Sequence, residues 1–354
     1  MLGAQGLEVH GLEVAREDPE YRWKVIEGDG STDRHTLFRD SNYGQLTRSE
    51  IARRVVETLT KLDPGAVAIN GWAMPEALTA LAWCRARRRV AILMSETFVA
   101  GSGFWSERVK SAVVGRFDAG LVGGEPHVTY AAALGLPRDR IFKGYDAVDN
   151  EHFAAGAARA RANAPELRRQ LGLPEHYFFA NTRFIARKNV GSLLRAFARL
   201  RREHPSWSLV ISGSGEAETE WKSLASELGL GDVRWPGFLQ YDELPTYYGL
   251  AAAFVHPAIS EPWGLVVNEA VSVGLPVLAS RAVGARFELV EDGANGILFD
   301  PHDVDALERA LRTIASLPST RLAELGARSR EISTHWTTRR FGEGLKSAIE
   351  AAIG

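Results

Sequence analysis

An α/β protein of two doubly wound parallel sheets, each in its own domain, is what this sequence predicts. Three observations carry that expectation. Short, continuous apolar runs alternate with helix-length segments from Thr47 onward, as buried parallel strands and their covering helices do. The alternation breaks at an alanine- and arginine-rich segment, Ala154 to Arg169, closed by Gly172 and Pro174, and then resumes as a second series. The chain of 354 residues is long enough for two such domains, each with its own core.

In chain order, Met1 to Gln5 reads as the tail of a helix, and Leu7 to Ala15 alternates like a strand. Asp29-Gly30-Ser31-Thr32-Asp33 is a turn cluster. Thr47 is placed to cap a helix in which Ile51, Val55, Leu59 and Leu62 recur at helical spacing. Strands follow at Ala66 to Ile69, Val90 to Met94, Ala119 to Val122 and Ile141 to Phe142, with helices between them. Ser95-Glu96-Thr97 ends the second of these, and Gly101-Ser102-Gly103 lies in the loop beyond. Ligands of open α/β sheets bind beyond the carboxyl ends of strands. Ser95 and Glu96 are therefore candidates for ligand contact, and helix capping accounts for them equally well.

Composition narrows the function classes. Lys and Arg number 42 against 44 Asp and Glu, so no charge excess points to nucleic acid as a partner. The runs Arg85-Ala86-Arg87-Arg88-Arg89 and Arg201-Arg202 read as cations at helix C-termini rather than a phosphate or membrane patch. Cys84 is the single cysteine, which excludes an internal disulfide and a cysteine-based metal cluster, and no metal-ligand set stands out. Neither a leader nor an apolar run of transmembrane length is present. The expectation is a soluble cytoplasmic protein, with contact to the inner face of a membrane left open.

The second series places strands at Tyr177 to Ala180, Leu209 to Ile211, Val233 to Trp235, Ala252 to Val255, Val277 to Ala279 and Ile297 to Phe299. Arg183 and Lys188 bracket the loop after the first of these, where cations would meet an anion or simply be solvated. Ser212-Gly213-Ser214-Gly215 follows the second, and its glycines permit close backbone approach. The stretch Ser260-Glu261-Pro262-Trp263-Gly264-Leu265-Val266-Val267-Asn268-Glu269-Ala270 concentrates the most chemistry. Pro262 disfavours a helical Glu261. From Gly264 the apolar pattern predicts a helix buried on most faces, with Glu269 a buried carboxylate in need of partners. The start of that helix is a natural phosphate site. Taken singly, either carboxylate reads better as half of a structural ion pair. Asp303-Val304-Asp305 matches an Asp-x-Asp metal signature, yet after Asp300-Pro301 it reads as a helix cap.

The ordered set changes that reading. Arg183…Lys188, Ser212-Gly213-Ser214-Gly215, Gly237-Phe238, His256-Pro257, Glu261-Pro262-Trp263-Gly264-Leu265…Glu269-Ala270, Gly284…Glu288 and Asp292-Gly293-Ala294-Asn295-Gly296 occur in succession. From Tyr177 to the C-terminus this resembles the donor half of retaining GT-B glycosyltransferases of the GT4 type. Asp149-Asn150…Phe153 is similar to the segment that closes that family's first domain. The resemblance implies two Rossmann-like domains facing across a cleft: an acceptor domain over 1–150, a nucleotide-sugar domain over 151–334, and a terminal helix over 335–354 crossing back to the first.

For the site, the resemblance implies that Arg183 and Lys188 hold the donor diphosphate and that Glu261 lies against the donor sugar near the reacting carbon. Glu269 would bind the ribose hydroxyls, the backbone at Gly264 and Leu265 would meet phosphate or sugar, and Gly237, Phe238 and Leu239 would line the base pocket. Gly213 and Gly215 join the donor-binding set. The implied reaction is transfer of a sugar, with retention, from a nucleoside-diphosphate sugar to a hydroxyl of a glycan, lipid-linked or small-molecule acceptor, with no metal or other cofactor. The family's opening strand and glycine-rich loop have no counterpart at the start of this chain, and Ser95-Glu96-Thr97 stands where many members carry a histidine. Those departures raise an alternative, a nucleotide-sugar-binding protein or pseudoenzyme with impaired transfer.

Overall fold

In the computed structural model the described residues are 7–17, 24, 33–99 and 104–354. The expectations for Met1 to Gln5, Asp29 to Thr32 and Gly101 to Gly103 lie outside them. The chain divides into two compact units, Met1–Asp146 with Arg339–Gly354, and Ala147–Thr338. The division falls at Asp146, four positions before the 150 read from the sequence. Asp149 is the reason: its side chain accepts from His152 N at 3.0 Å and caps the helix Asn150–Ala162, so the cap travels with that helix into the second unit.

In the first unit, β1 (His10–Glu17) and β2 (Asp33–Asn42) pair in parallel as a two-stranded sheet. The strands β3 (Ala66–Asn70), β4 (Val90–Ser95), β5 (Ala119–Val122) and β6 (Ile141–Lys143) form a parallel sheet in that order. Thr47 caps the helix Arg48–Leu62 through a reciprocal box, its hydroxyl accepting from Glu50 N while the Glu50 carboxylate accepts from Thr47 N. That helix turns Ile51, Val55 and Leu59 onto a core shared with Leu37, Leu81, Cys84 and Leu93. The other face of the four-stranded sheet, Ile92, Ala119 and Leu121, is covered by Leu345 and Ala348 of the last helix, Thr338–Ile353. The arginine run at 85–89 is tied down by Asp118 on Arg85 and by Asp63 on Arg89.

In the second unit, β7 (His176–Asn181), β8 (Trp207–Ser212), β9 (Arg234–Gly237), β10 (Ala253–His256), β11 (Val277–Ser280) and β12 (Gly296–Phe299) form a parallel sheet ordered β12-β11-β10-β7-β8-β9. Alternation along β7 divides its residues between two cores. Tyr177 and Phe179 face one, Phe178 and Ala180 the other, so both sheet faces are covered. The chain winds outward from β7 to β9, then restarts beside β7 at β10 and winds the other way. The reversal lies between β7 and β10, whose Phe178 and Phe179 pair with Ala253 and Phe254. Such a switch point opens a crevice at the strands' carboxyl ends. Asp303 accepts from Ala306 N at 2.9 Å, so Asp303-Val304-Asp305 is a helix cap. No described helix is long and apolar enough to cross a membrane.

Candidate functional site

The loops leaving β7 and β10 carry the chemistry. They are stitched together by Ile259 N on Arg187 O at 2.9 Å, Arg187 Nη1 on Ser260 O at 3.0 Å and Asn189 Nδ2 on Pro257 O at 3.1 Å. Glu261 is held extended, as Pro262 requires, by a bridge to Val283. Glu261 N donates to Ala282 O at 3.3 Å and Gly284 N donates to Glu261 O at 2.9 Å. The glycine turn at Val283-Gly284-Ala285 thus fixes the backbone of the carboxylate that precedes it.

The Glu261 side chain is buried and accepts from Lys188 Nζ and from His256 Nε2, the latter at 3.0 Å, with Arg187 Nη1 at 3.7 Å. Burial by itself would raise its pKa, but the hydrogen bond and charge of His256 and the charge of Lys188 outweigh it and hold the carboxyl at about 2. Lys188 and His256 are each pulled below their ordinary values, by burial first, against the opposing pull of Glu261. The other ring nitrogen of His256, Nδ1, is buried and has no hydrogen-bond partner among the described residues. The loop cation Lys188, which the sequence left between anion binding and solvation, is a buried partner of Glu261.

Gly264 ends this loop at φ +102°, a left-handed conformation, and the helix Leu265–Ser272 follows. A Cβ there would stand 3.1 Å from Glu261 Cγ and 3.4 Å from Val283 Cγ1, so both backbone and space require glycine. The first turn is open, with Leu265 42 % exposed, while Val267 through Ser272 are buried. Glu269 is buried, its Oε2 accepting from the Tyr248 hydroxyl at 2.6 Å. Burial pushes this carboxyl up to about 7, against hydrogen bonds from Tyr248 and Asn181 that favour the ion. The two carboxylates therefore have opposite environments, one paired with cations and one surrounded by neutral donors. Tyr248 and Asn181 went unread in the sequence, because they reach Glu269 only in the folded chain, one from the helix Leu244–Leu250 and one from the end of β7.

The remaining candidates fall in several places. Arg183 lies in the loop after β7, close enough for its charge to lower the Lys188 pKa further. Gly213 and Gly215 follow β8, and their close approach is to the chain itself, since a Cβ would fall 1.8 Å from Thr182 O and 2.5 Å from Phe184 O respectively. Gly237 accepts from Gly213 N at 2.8 Å, Phe238 follows it, and Leu239 is buried in the core behind. In the first unit, Ser95 ends β4 and its hydroxyl accepts from Thr97 N at 3.2 Å. Glu96 is exposed, and with burial as the larger cause it helps push Asp146 up to about 8. A cavity of about 500 Å³ lined by His152, Arg159, Asn163 and Asp242 contains none of the residues at the β7–β10 edge. Among the described residues the sole three-member His/Cys/Asp/Glu set spaced to hold a metal is His10, Asp33 and His35, which the sequence reading missed.

A six-stranded doubly wound sheet with paired loops at its switch point, in a chain that also holds a second parallel α/β unit, defines a GT-B architecture. Solved structures agree on the fold. The sucrose-phosphate synthase of Thermosynechococcus elongatus superposes with a TM-score of 0.77 at 21 % identity, covering 99 % of this chain and 90 % of that one. Anabaena HepE in complex with UDP and glucose gives 0.72 at 20 %, covering 89 % and 86 %. Residues 163–331 match the family model described as Glycosyl transferases group 1. A GDP-mannose-dependent alpha-(1-6)-phosphatidylinositol monomannoside mannosyltransferase of Mycolicibacterium smegmatis is 33 % identical over 219 residues, 58 % of this chain and 56 % of that protein. A D-inositol 3-phosphate glycosyltransferase of Corynebacterium kroppenstedtii is 31 % identical over 240 residues, 61 % and 51 %. The chain spans about half the length of these curated relatives.

Proposed function

We propose that the chain transfers a sugar from a nucleoside-diphosphate sugar to an acceptor hydroxyl with retention of anomeric configuration. The observation that carries the reading is the pair of buried carboxylates at the switch point. Glu261 is kept ionised by Lys188 and His256, and Glu269 is kept near half-ionisation under Tyr248. A single structural ion pair would account for the first and leave the second a costly, unpaired burial. Glu269 has the environment of a group that gains partners from a ligand, and a ribose diol supplies two hydroxyl donors.

In this reading Glu261 faces the donor sugar and stabilises positive charge growing at the anomeric carbon. Lys188 has three N–H donors and commits one to Glu261, so it and Arg183 meet the leaving diphosphate together with the open first turn at Gly264 and Leu265. Charge stabilisation of that leaving group is the main task, and no step is routed through a metal. Gly237, Phe238 and Leu239 border the base, and the loops that hold Gly213 and Gly215 shape the floor. The first unit, 1–146 with the last helix, takes the acceptor, with Ser95 and Glu96 beyond β4 as its contacts. The acceptor class is a hydroxyl of a glycan, a lipid-linked sugar or a small polyol. The names of the two relatives, one acting on a phosphatidylinositol mannoside and one on an inositol phosphate, support that range. A lipid-linked acceptor would bring the protein to a membrane surface.

The test is an acceptor-dependent transfer assay with UDP-, GDP-, ADP- and dTDP-sugars, the product's anomeric configuration read by NMR. Transfer with retention supports the reading. A chain that binds a nucleotide but turns over none of these donors with any acceptor of the three classes overturns it.

A further inference from the structure

The structure points to a second site in the first unit, remote in sequence from the donor residues and independent of the function proposed above. In the β1–β2 pair His10 registers with Asp33 and Leu12 with His35, so all four side chains share one face. Farther along that face Val14 and Leu37 enter the core. At its other end, where the core runs out, three donor atoms converge. His10 Nδ1 lies 3.2 Å from Asp33 Oδ2, His35 Nε2 lies 3.0 Å from the same oxygen, and the two imidazole nitrogens are 3.3 Å apart.

These separations are those of a coordination sphere. Bonds of about 2.0–2.1 Å at tetrahedral angles set neighbouring ligands about 3.3 Å apart. Glu8 Oε1 sits 3.3 Å from His10 Nε2, and a proton held there would leave the Nδ1 lone pair facing Asp33 and His35. A carboxylate on the far nitrogen is the usual support of a metal-bound imidazole, because it fixes the tautomer and raises the basicity of the ligating atom. His10 Nδ1, His35 Nε2 and Asp33 Oδ2 thus face one point. A cation in the triangle satisfies all three.

We propose that His10, Asp33 and His35 bind one divalent transition-metal ion of the zinc class, with the fourth position open to water. Two neutral imidazoles and one carboxylate leave such an ion at net +1, and its nitrogen-rich set disfavours magnesium and calcium. The ion would cross-link β1 to β2. A two-stranded sheet is marginal by itself, so the cross-link has a structural task in holding these strands on the unit's core.

The test uses the full chain stripped with chelator and titrated with zinc at pH 7.5 against a chromophoric competitor, with cobalt as a spectroscopic probe. Expected are one zinc per chain, intense four-coordinate cobalt bands, and a rise in Tm on adding zinc. Asp33→Asn and His35→Ala should each weaken zinc binding by roughly 100-fold and abolish the Tm rise. Far-UV circular dichroism of both variants checks that they fold. The conservative Asp33→Asn change keeps the test valid if the histidine variant does not fold. Zinc binding that survives both variants would assign the ion to other histidines and overturn the proposal. So would a chain that takes up no zinc below about 100 μM, far weaker than structural sites.

Discussion

The Tyr248 hydroxyl donates to Glu269 Oε2 at 2.6 Å, and both groups are buried. This contact favours the ionised form of the carboxylate proposed to hold the nucleotide, and burial opposes it more strongly. With the carboxyl lifted to about 7 by burial, a ligand that prefers the carboxylate must first displace a proton below that pH. Nucleotide affinity should therefore rise about tenfold from pH 6 to pH 8, as the ionised fraction grows. Calorimetry with UDP and GDP measures this, and in Glu269→Gln the slope should vanish. Tyr248→Phe removes a donor to the ion, so it should move the rise to higher pH. A flat profile in the wild-type chain would exclude a carboxylate contact to the ligand.

The same raised pKa makes Glu269 a source of instability. Between its unfolded value near 4.5 and about 7 the folded state holds more protons than the unfolded one, so stability must fall as pH rises through that window. The loss should approach roughly 3 kcal/mol by neutral pH. Urea unfolding of the ligand-free chain at pH 5 and pH 8 should show it, and Glu269→Gln should be flatter by that amount.

Glu261 has the opposite sign. Its folded pKa of about 2 lies below the unfolded value of 4.5, so its contribution is complete above pH 4.5 and is lost as pH falls toward 2. Acid unfolding of Glu261→Gln should therefore show a shallower pH dependence between 4.5 and 2 than the wild-type chain does.

Removing one partner of a buried pair leaves the other charge uncompensated. Lys188→Met should lower stability by about 3–5 kcal/mol in chemical denaturation. Glu261→Ala should keep nucleotide affinity within about threefold while slowing transfer on the order of 100-fold, a split in kcat rather than KM. Equal loss in binding and turnover would assign Glu261 to nucleotide holding instead.

Gly264→Ala tests the backbone between the carboxylates. The new methyl meets Glu261 Cγ at 3.1 Å at a φ of +102°. A cost of about 1–3 kcal/mol is expected, with transfer falling further than stability does, because the group displaced is Glu261.

Much of this architecture was legible before any coordinates. Continuous apolar runs such as Phe178 to Ala180, alternating with helix-length segments, read as strands covered on both faces, and Thr47 with Glu50 carries its capping box in plain spacing. Pro262 and Gly264 announced an extended Glu261 and a helix start. The partners were not legible. Lys188 and Glu261 lie 73 positions apart, and Tyr248 and Glu269 lie 21 apart, on separate elements. Local periodicity has no term for such pairs. His10, Asp33 and His35 escaped for the same reason, since their segments carry no recognisable ligand spacing until β1 and β2 are in register.

By itself, then, the sequence determined the alternation of elements, the winding class and the positions of two carboxylates around a glycine. These follow from local conformational preference and from the apolar period. Tertiary structure decided what those carboxylates are. It set Lys188 and His256 beside Glu261 and the neutral donors of Tyr248 and Asn181 beside Glu269, so two identical side chains eight positions apart titrate at about 2 and about 7. The physical reason is that a buried charge is stabilised or penalised by whatever lies within a few ångströms, and only the fold brings those neighbours there.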